Sequence, residues 1–240
     1  REPRFYLTVV WNGQWFKWEN RNTNFLYGQP DGGPTHDAPQ NGYLNRSRVS
    51  LDYIPRDNNH PYRPAIIFRM AEAYLSYAEA LNESSERMSH KQEILDNLNK
   101  IRHRAGIAEY GTGTDENGFT RIKINFSDQK EVRRLIHKER RVEFVGEGVR
   151  YHDLRRWKTA HYGIGNLNEQ GENPDWGVNG PDYGMNYYGT EYTDQGDNAF
   201  FKRTKYMDRV YPRKFYWYPI HQSEIDKDPT LVQGPFWLGE

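Results

Sequence analysis

One segment near the middle of the chain constrains the fold more than any other, because it interleaves charged and apolar residues. It runs from Glu139 to Trp157 and reads ERRVEFVGEGVRYHDLRRW. A charged helix normally faces water, but the apolar residues here recur with the helical period, so the segment must be partly buried. Buried charges require partners because an unpaired one is costly. The segment therefore predicts a polar network that holds two helices together.

The predicted network lies in helices expected over about 127–146 and 149–160. Its members are Glu139, Arg140, Arg141, Glu143, Glu147, Arg150, Asp153, Arg155 and Arg156. Contact with phosphate or nucleic acid is the functional alternative for so many arginines. Acids three or four positions from an arginine, as in Arg150 and Asp153, favour internal ion pairs instead.

The composition excludes several classes of protein. Lys plus Arg and Asp plus Glu are both 33, so the chain lacks the basic surplus typical of a nucleic-acid-binding protein. The absence of Cys excludes disulfides and Cys-based zinc sites or nucleophiles. Only 35% of the residues are hydrophobic but 15% are aromatic, which indicates a folded, loop-rich protein with aromatic contact surfaces. No apolar run approaches the roughly 18 residues of a membrane span.

A helical hairpin is predicted over 65–106. Apolar residues at helical spacing indicate helices over about 65–82 and 90–105, with Ser89 capping the second helix and Gly106 ending it. The short link makes the pair an antiparallel hairpin similar to one tetratricopeptide-type repeat. Since one repeat cannot bury both of its faces, other repeats should flank it.

The rest of the chain is predicted to be loop with a few short strands. Strands are expected at Phe5 to Trp11, Ser47 to Ile54, Thr120 to Phe126 and in FYWYPI at 215–220, with a turn in QSEIDKDP at 222–229. The chain then divides into a strand and loop region (1–64), the hairpin (65–106), a helix pair (127–160) and a loop-rich tail (161–240). The expected fold class is mainly α, with tetratricopeptide-like hairpins, a loop-rich irregular region and few short strands.

Two groups of aromatic residues in polar loops are the candidates for ligand binding. They are Trp11, Trp15, Phe16 and Trp18 in the first group, and Trp176, Tyr183, Tyr187, Tyr188 and Tyr192 in the second. Such rings provide apolar platforms that cover the apolar face of a sugar, while Asn, Asp and Arg bind its hydroxyls. The same rings would also serve as loop anchors or as contacts to a protein partner, since interfaces are rich in aromatic residues.

Motifs for catalysis or metal binding are weak. The His residues lack HExxH spacing, and no pair of carboxylates is marked as an acid and base. The acidic turns that begin at Asp115 and Asp194 carry oxygen ligands suited to calcium but lack the full EF-hand spacing, so Asx turns are predicted. We therefore predict no catalytic residue, no cofactor and no metal.

Four blocks of the chain, in this order, resemble the SusD/RagB family. They are YLSYAEALNE (74–83), ILDNLNKIRHRAGI (94–107), KERRVEFVGEGVRYHDLRRW (138–157) and YPIHQSEIDKDPTLVQ (218–233). The resemblance implies a surface-exposed outer-membrane lipoprotein of Bacteroidetes. Such a protein captures an oligosaccharide and delivers it to a SusC-like TonB-dependent transporter, without catalysis or nucleic-acid binding. It also implies that this chain is the C-terminal half, with the N-terminal half of the same protein as its partner and bearer of the lipid anchor.

Three alternatives to glycan capture stay open. Some members of the family bind peptides, and the sequence does not separate these two ligands. A tetratricopeptide scaffold would bury the aromatic loops against a protein partner. A glycoside hydrolase would turn over an oligosaccharide, which the resemblance does not imply.

Overall fold

The computed structural model describes residues 1–47, 49–50, 57–58, 61–62, 64–163 and 177–238, without the side chain of Trp18. The helices are α1 (Pro3–Thr8), α2 (Met70–Glu83), α3 (Lys91–Arg104), α4 (Gln129–Glu143), α5 (Val149–Arg156) and α6 (Gln222–Lys227). The strands are β1 (Val9–Trp11), β2 (Trp15–Phe16), β3 (Arg21–Asn22), β4 (Tyr43–Asn45), β5 (Gly180–Gly184) and β6 (Thr204–Arg209). This mainly α fold with a few short strands confirms the predicted fold class.

The strands form two-stranded sheets, and the chain forms two compact units. β1 pairs with β4, β2 with β3, and β5 with β6. The first unit contains Arg1–Arg150 and Gly184–Thr204, and the second contains Tyr151–Tyr183 and Lys205–Glu240. In the part of the chain that the structure describes, no helix has the length and apolar character needed to cross a membrane.

The core of the first unit lies between α2, α3 and α4. Leu75, Leu98 and Ile136, one from each helix, are completely buried. α2 and α3 form the predicted helical hairpin, and α4 packs against α2 more extensively than against α3. A third helix thus covers a face of the hairpin for which the sequence pattern predicted a neighbouring repeat. Asp128 caps α4, because its carboxylate accepts the backbone N–H groups of Lys130 and Glu131.

The hairpin begins later than predicted. α2 starts at Met70 rather than at about residue 65, because Arg69 has an extended backbone and its guanidinium binds Glu143 and Glu147. Ser89 does not cap α3 as predicted, since its hydroxyl donates to the carbonyl of Glu86. Gly106 does end α3, with a positive φ of 66°.

The predicted strands fit the structure less well than the predicted helices. Of the strand predicted at Phe5 to Trp11, only Val9–Trp11 forms one (β1). The residues before it belong to α1, with Pro3 in its first turn, where a missing N–H costs nothing. The segment 120–126 makes only isolated bridges, Tyr110 with Ile122 and Thr114 with Thr120. Much of the strand predicted from residue 47 to residue 54 lies outside the described residues.

The tail also departs from the prediction. The segment predicted as a strand at 215–220 begins in a 3-10 turn, Arg213–Tyr216, and prolines at 212 and 219 limit sheet pairing there. The predicted turn at 222–229 contains α6, where the ring of His221 accepts the backbone N–H of Ser223. The strand β6 has no counterpart in the prediction.

The second unit has a small core of its own. Leu154 and Ala160 are buried there, with Tyr211 and Tyr216 packed against them. The side-chain amide of Asn179 donates to the carbonyl of Tyr211 at 3.2 Å, and its oxygen accepts the Tyr211 backbone N–H. Asn179 therefore holds the backbone of Tyr211 in place beside this core.

Candidate functional site

Two loops of the first unit, residues 11–35 and 184–204, pack together and carry a group of aromatic side chains. The backbone N–H of Tyr27 donates to the carbonyl of Gly189 at 2.9 Å. The Tyr192 hydroxyl donates to the side-chain oxygen of Asn24 at 2.9 Å. Buried Phe25, Leu26 and Phe200 form a small core for these loops. We call the surface formed by Tyr27, Tyr187, Tyr188 and Tyr192 the tyrosine surface.

Three rings of the tyrosine surface, those of Tyr27, Tyr187 and Tyr188, meet one another at a range of angles. The centroids of Tyr187 and Tyr188 are 5.1 Å apart with perpendicular planes, and those of Tyr27 and Tyr188 are 5.6 Å apart. Edge contacts of this kind fix the rings while leaving ring faces available. Tyr188 is 70% exposed and Tyr192 is 58% exposed, whereas Tyr27 and Tyr187 are half-buried. The surface therefore offers fixed and accessible aromatic faces.

Polar groups lie beside these rings in a fixed arrangement. The guanidinium of Arg21 donates two hydrogen bonds to the carboxylate of Asp31, at 2.6 and 2.8 Å. The hydrogen bond from Arg21 is the main cause of a lowered pKa for Asp31, so this carboxylate stays ionised. Asp31 also accepts the backbone N–H of Asn24, whose side chain binds Tyr192. Hydrogen-bonding groups are thus held next to the rings.

The structure brings some of the predicted aromatic residues together and separates others. Tyr187 and Tyr188 are in ring contact, and Trp15 is 58% exposed in β2, opposite Asn22 of β3. Trp11 is half-buried and its ring packs against Tyr6, with centroids 5.0 Å apart. Tyr183 is exposed on β5 in the second unit. Trp176 and the Trp18 side chain lie outside what the structure describes.

Tyr27 is a member of the tyrosine surface that the sequence analysis missed. It follows Phe25 and Leu26 and precedes glycine and polar residues, and it lies outside both predicted aromatic groups. The sequence feature that could have indicated its contacts is the group of glycines that follows it. A β-carbon on one of these, Gly33, would lie 2.5 Å from the ring of Tyr187. Closely spaced glycines often mark a place where another part of the chain approaches the backbone.

The charged segment forms a separate, buried cluster of carboxylates. The Glu143 side chain is only 1% exposed and receives hydrogen bonds from Arg4 and Arg69, at 3.0 and 2.5 Å, and another from Arg104. Glu139 binds Arg4 and Arg102, at 2.7 and 2.9 Å. These arginines come from α1, from the residue before α2 and from α3, not from the charged segment itself.

The other members of the predicted network have varied surroundings. Buried Arg140 donates to the Ser76 hydroxyl at 3.0 Å, whereas Arg141 is exposed. Glu147 binds Arg69, and Arg150 is half-buried. In the second unit, buried Asp153 binds Arg156 at 3.0 Å, and Arg155 donates to the Tyr216 carbonyl at 2.6 Å.

The first acidic turn is an Asx turn, as the sequence predicts. The two oxygens of the Asp115 carboxylate accept backbone N–H groups from Glu109, Asn117 and Phe119, at 2.9 to 3.1 Å. Burial raises the pKa of Asp115, but these hydrogen bonds lower it further than burial raises it, so the net shift is downward. Within the described residues, no group of three or more His, Asp or Glu side chains is placed to hold a metal ion.

Close packing at Gly189 gives a test of how the loop 184–204 folds against itself. A β-carbon there would lie 2.4 Å from the Phe200 Cα, a backbone atom that cannot move without shifting its loop. We expect Gly189→Ala to lower the free energy of unfolding by about 1–3 kcal/mol, measured by urea denaturation. Gly234→Ala is the control, because its nearest neighbour is a side-chain atom at 3.3 Å. Equal stability of the two variants would contradict the described packing.

Comparison with known proteins places this fold and its loops in one family. The model of the SusD family matches residues 1–237. SusD-like protein P25 from Formosa agariphila is 32% identical over 109 residues, which are 45% of this chain and 18% of that protein. SusD-like protein P38 from the same organism is 32% identical over 103 residues, 43% of this chain and 19% of that protein.

Solved structures have the same fold over almost the whole chain. A SusD-like protein from Bacteroides fragilis NCTC 9343 is 26% identical with a TM-score of 0.69, covering 99% of this chain and 39% of that one. A SusD-like carbohydrate-binding protein from the same strain is 24% identical with a TM-score of 0.60, covering 97% and 42%. At that identity the second likeness concerns the fold alone. The chain therefore spans about two fifths of these solved structures. Since the family match extends over nearly its full length, the chain belongs to the SusD family.

Proposed function

We propose that this chain is part of a cell-surface protein that captures an oligosaccharide and delivers it to a SusC-like TonB-dependent transporter in the outer membrane. Family membership supports capture of a nutrient at the cell surface. The assignment of a glycan ligand to this chain depends on the tyrosine surface. The transporter is proposed from the resemblance to the family.

The geometry of the tyrosine surface suits a sugar. The exposed ring of Tyr188 offers a flat apolar face, and the neighbouring rings of Tyr27 and Tyr187 hold it in place. Next to Tyr192, the amide of Asn24 and the carboxylate of Asp31 provide polar atoms for hydroxyl groups. An apolar platform with a few placed polar groups is the usual composition of a small-ligand site.

The same surface does not favour catalysis. A general acid must carry a proton at the working pH, but Arg21 lowers the pKa of Asp31 and keeps it ionised. In agreement with the resemblance to the family, we propose binding without turnover of the glycan. Hydrolysis of any bound oligosaccharide would contradict this part of the proposal.

We also propose that the remainder of a longer protein contacts this chain and carries the lipid anchor. The solved relatives extend well beyond the part that this chain covers. In addition, apolar residues before and at the start of α2 are exposed, with Ile67 at 96% and Phe68 at 61%. Contiguous exposed apolar residues commonly mark a surface that another polypeptide covers.

The glycan assignment predicts that Tyr188→Ala weakens oligosaccharide binding about tenfold, equivalent to about 1.4 kcal/mol, because truncating a central aromatic contact commonly costs more than 1 kcal/mol. Calorimetric titration of both proteins with a panel of oligosaccharides would measure the dissociation constants. Tyr77→Ala is the control, since Tyr77 is also an exposed tyrosine but lies on α2.

Two results would contradict this assignment. Equal losses in Tyr188→Ala and Tyr77→Ala would show that the tyrosine surface is not the binding site. Failure of every glycan to bind, together with binding of short peptides that Tyr188→Ala weakens, would favour the peptide-binding members of the family.

A further inference from the structure

A second concave site lies in the first unit and is not used by the proposed glycan function. It is a cleft of about 970 Å³ between α3 and the segment 109–126. The α3 residues along it extend from Gln92 to His103, spaced so that they share one face of the helix. At 1.5 Å per residue this wall is roughly 16 Å long. The cleft is therefore elongated, with the length of about five residues of extended polypeptide.

The floor of the cleft is apolar and firmly supported. Tyr74, Leu95, Ile124 and Phe126 line it, and all four are partly buried and pack against the core formed by α2, α3 and α4. Their inner sides are therefore fixed by close packing while their outer sides face the cleft. Such a floor favours a ligand with apolar side chains over a uniformly polar ligand.

The wall opposite α3 is also held in place before any ligand arrives. The side-chain amide of Asn99 makes two hydrogen bonds with the backbone of Tyr110, at 2.8 and 2.9 Å. The buried carboxylate of Asp115 accepts three backbone N–H groups from the same segment. A preformed wall reduces the ordering cost of binding.

Charges of both signs occur on both walls. Asp96 and Lys100 lie on the helical wall, and Glu116 and Lys123 lie on the opposite wall. These four charges balance, as do Glu109 and Arg121, which also line the cleft and bind each other, so the cleft does not favour a polyanion or a polycation. A ligand that carries acidic and basic groups at its edges and apolar groups at its centre would complement it.

The aromatic residues of the cleft do not suit a sugar. The ammonium of Lys100 lies 4.5 Å from the centre of the Tyr74 ring, and the guanidinium of Arg102 lies 4.2 Å from that of buried Tyr110. A cation therefore lies over one face of each ring, and burial leaves little of the Tyr110 ring for a sugar to contact. This contrasts with the exposed Tyr188 ring of the tyrosine surface.

We propose that this cleft is a binding groove for a short polypeptide segment of a partner protein, with apolar side chains toward the floor and charges of both signs at its edges. The floor determines the apolar centre of the segment, and the two walls determine its charged edges. This groove is separate from the tyrosine surface, so the proposal does not rest on the glycan function.

The test uses a phage-displayed library of random 12-residue peptides, selected on the immobilised 240-residue chain. Synthetic copies of the selected peptides would then be titrated calorimetrically into the wild-type chain and into Ile124→Gln. We expect apolar centres flanked by both charge signs, and at least tenfold weaker binding to Ile124→Gln. Val210→Gln, a change at an exposed apolar residue of the second unit, should bind as the wild type does.

A second variant protects the test against a folding defect in Ile124→Gln. The double variant Asp96→Lys, Lys123→Glu changes only exposed residues, so it should fold normally and should select peptides with a different order of charges. Absence of selected peptides, or equal binding to the wild type and both variants, would overturn the proposal. Glycan binding that Ile124→Gln weakens would also overturn it, as would self-association of the chain that Ile124→Gln abolishes.

Discussion

Replacing Glu143 by alanine is expected to lower the free energy of unfolding by about 3–5 kcal/mol, the cost typical of breaking a buried ion pair. The Glu143 carboxylate is 1% exposed and binds three guanidinium groups. Without it, Arg4 would still bind Glu139 and Arg69 would still bind Glu147. The carboxylate that neutralises the repulsion among Arg4, Arg69 and Arg104 would be lost. The loss should therefore exceed the value of any single hydrogen bond.

The measurement is urea denaturation of wild type and variant, with Glu83→Ala as the matched control. Glu83 also binds an arginine, Arg133, but its side chain is 39% exposed. An exposed pair contributes at most about 1 kcal/mol. Similar losses for Glu143→Ala and Glu83→Ala would contradict the assignment of Glu143 to a buried structural cluster.

The same residue gives a pH dependence with a definite sign. Burial raises the pKa of Glu143, but hydrogen bonds and charge from Arg69 and Arg104 lower it overall below its ordinary value of 4.5. A carboxylate with a lowered folded-state pKa stabilises the fold above its unfolded-state pKa, and this stability is lost as the pH falls through the folded-state value. Stability measured below about pH 4.5 should therefore fall less steeply in Glu143→Gln than in the wild type.

The second large effect is expected for Ile136→Ala, which should lower the free energy of unfolding by about 2–5 kcal/mol. Ile136 is completely buried where α4 packs against the helical hairpin. Alanine would leave a cavity between α4 and the hairpin, and close packing on all sides prevents the core from closing over it. The size of the loss therefore measures how much the hairpin depends on α4.

The adjacent Leu135 provides the control for Ile136. It lies on the same helix and loses similar volume on mutation to alanine, but it is only partly buried against the core. Thermal or urea unfolding should show a clearly smaller loss for Leu135→Ala than for Ile136→Ala. Equal losses would mean that helix propensity, and not packing on the hairpin, determines the contribution of α4.

The parts of the fold that the sequence predicted well are those with local causes. Helical periodicity identified α2, α3 and α4, and the glycine at position 106 identified the end of α3. The start of α2 was misplaced because it depends on Arg69 binding α4, which is distant in sequence. Short strands such as β6 have too few residues for a period of two to be distinguished from loop.

The carboxylate cluster shows the same limit. Spacing within residues 139–157 indicated that its charges need partners, but the actual partners of Glu139 include Arg4, which is 135 positions away. A spacing of three or four residues indicates side-chain contacts only within one helix. The tyrosine surface was identified in part through Tyr187 and Tyr188, while Tyr27 joins them only through the packing of two loops.

Glu139 and Glu143 couple the local unfolding of several segments of the first unit. Arg4, Arg69, Arg102 and Arg104 attach the first residues of the chain, the entry to α2 and the end of α3 to a single turn of α4. Detaching any of these segments leaves buried charge uncompensated in the others. Local fluctuations of the four segments are thereby coupled, so the segment that contains Arg4 shares the cooperative unfolding of the helical core.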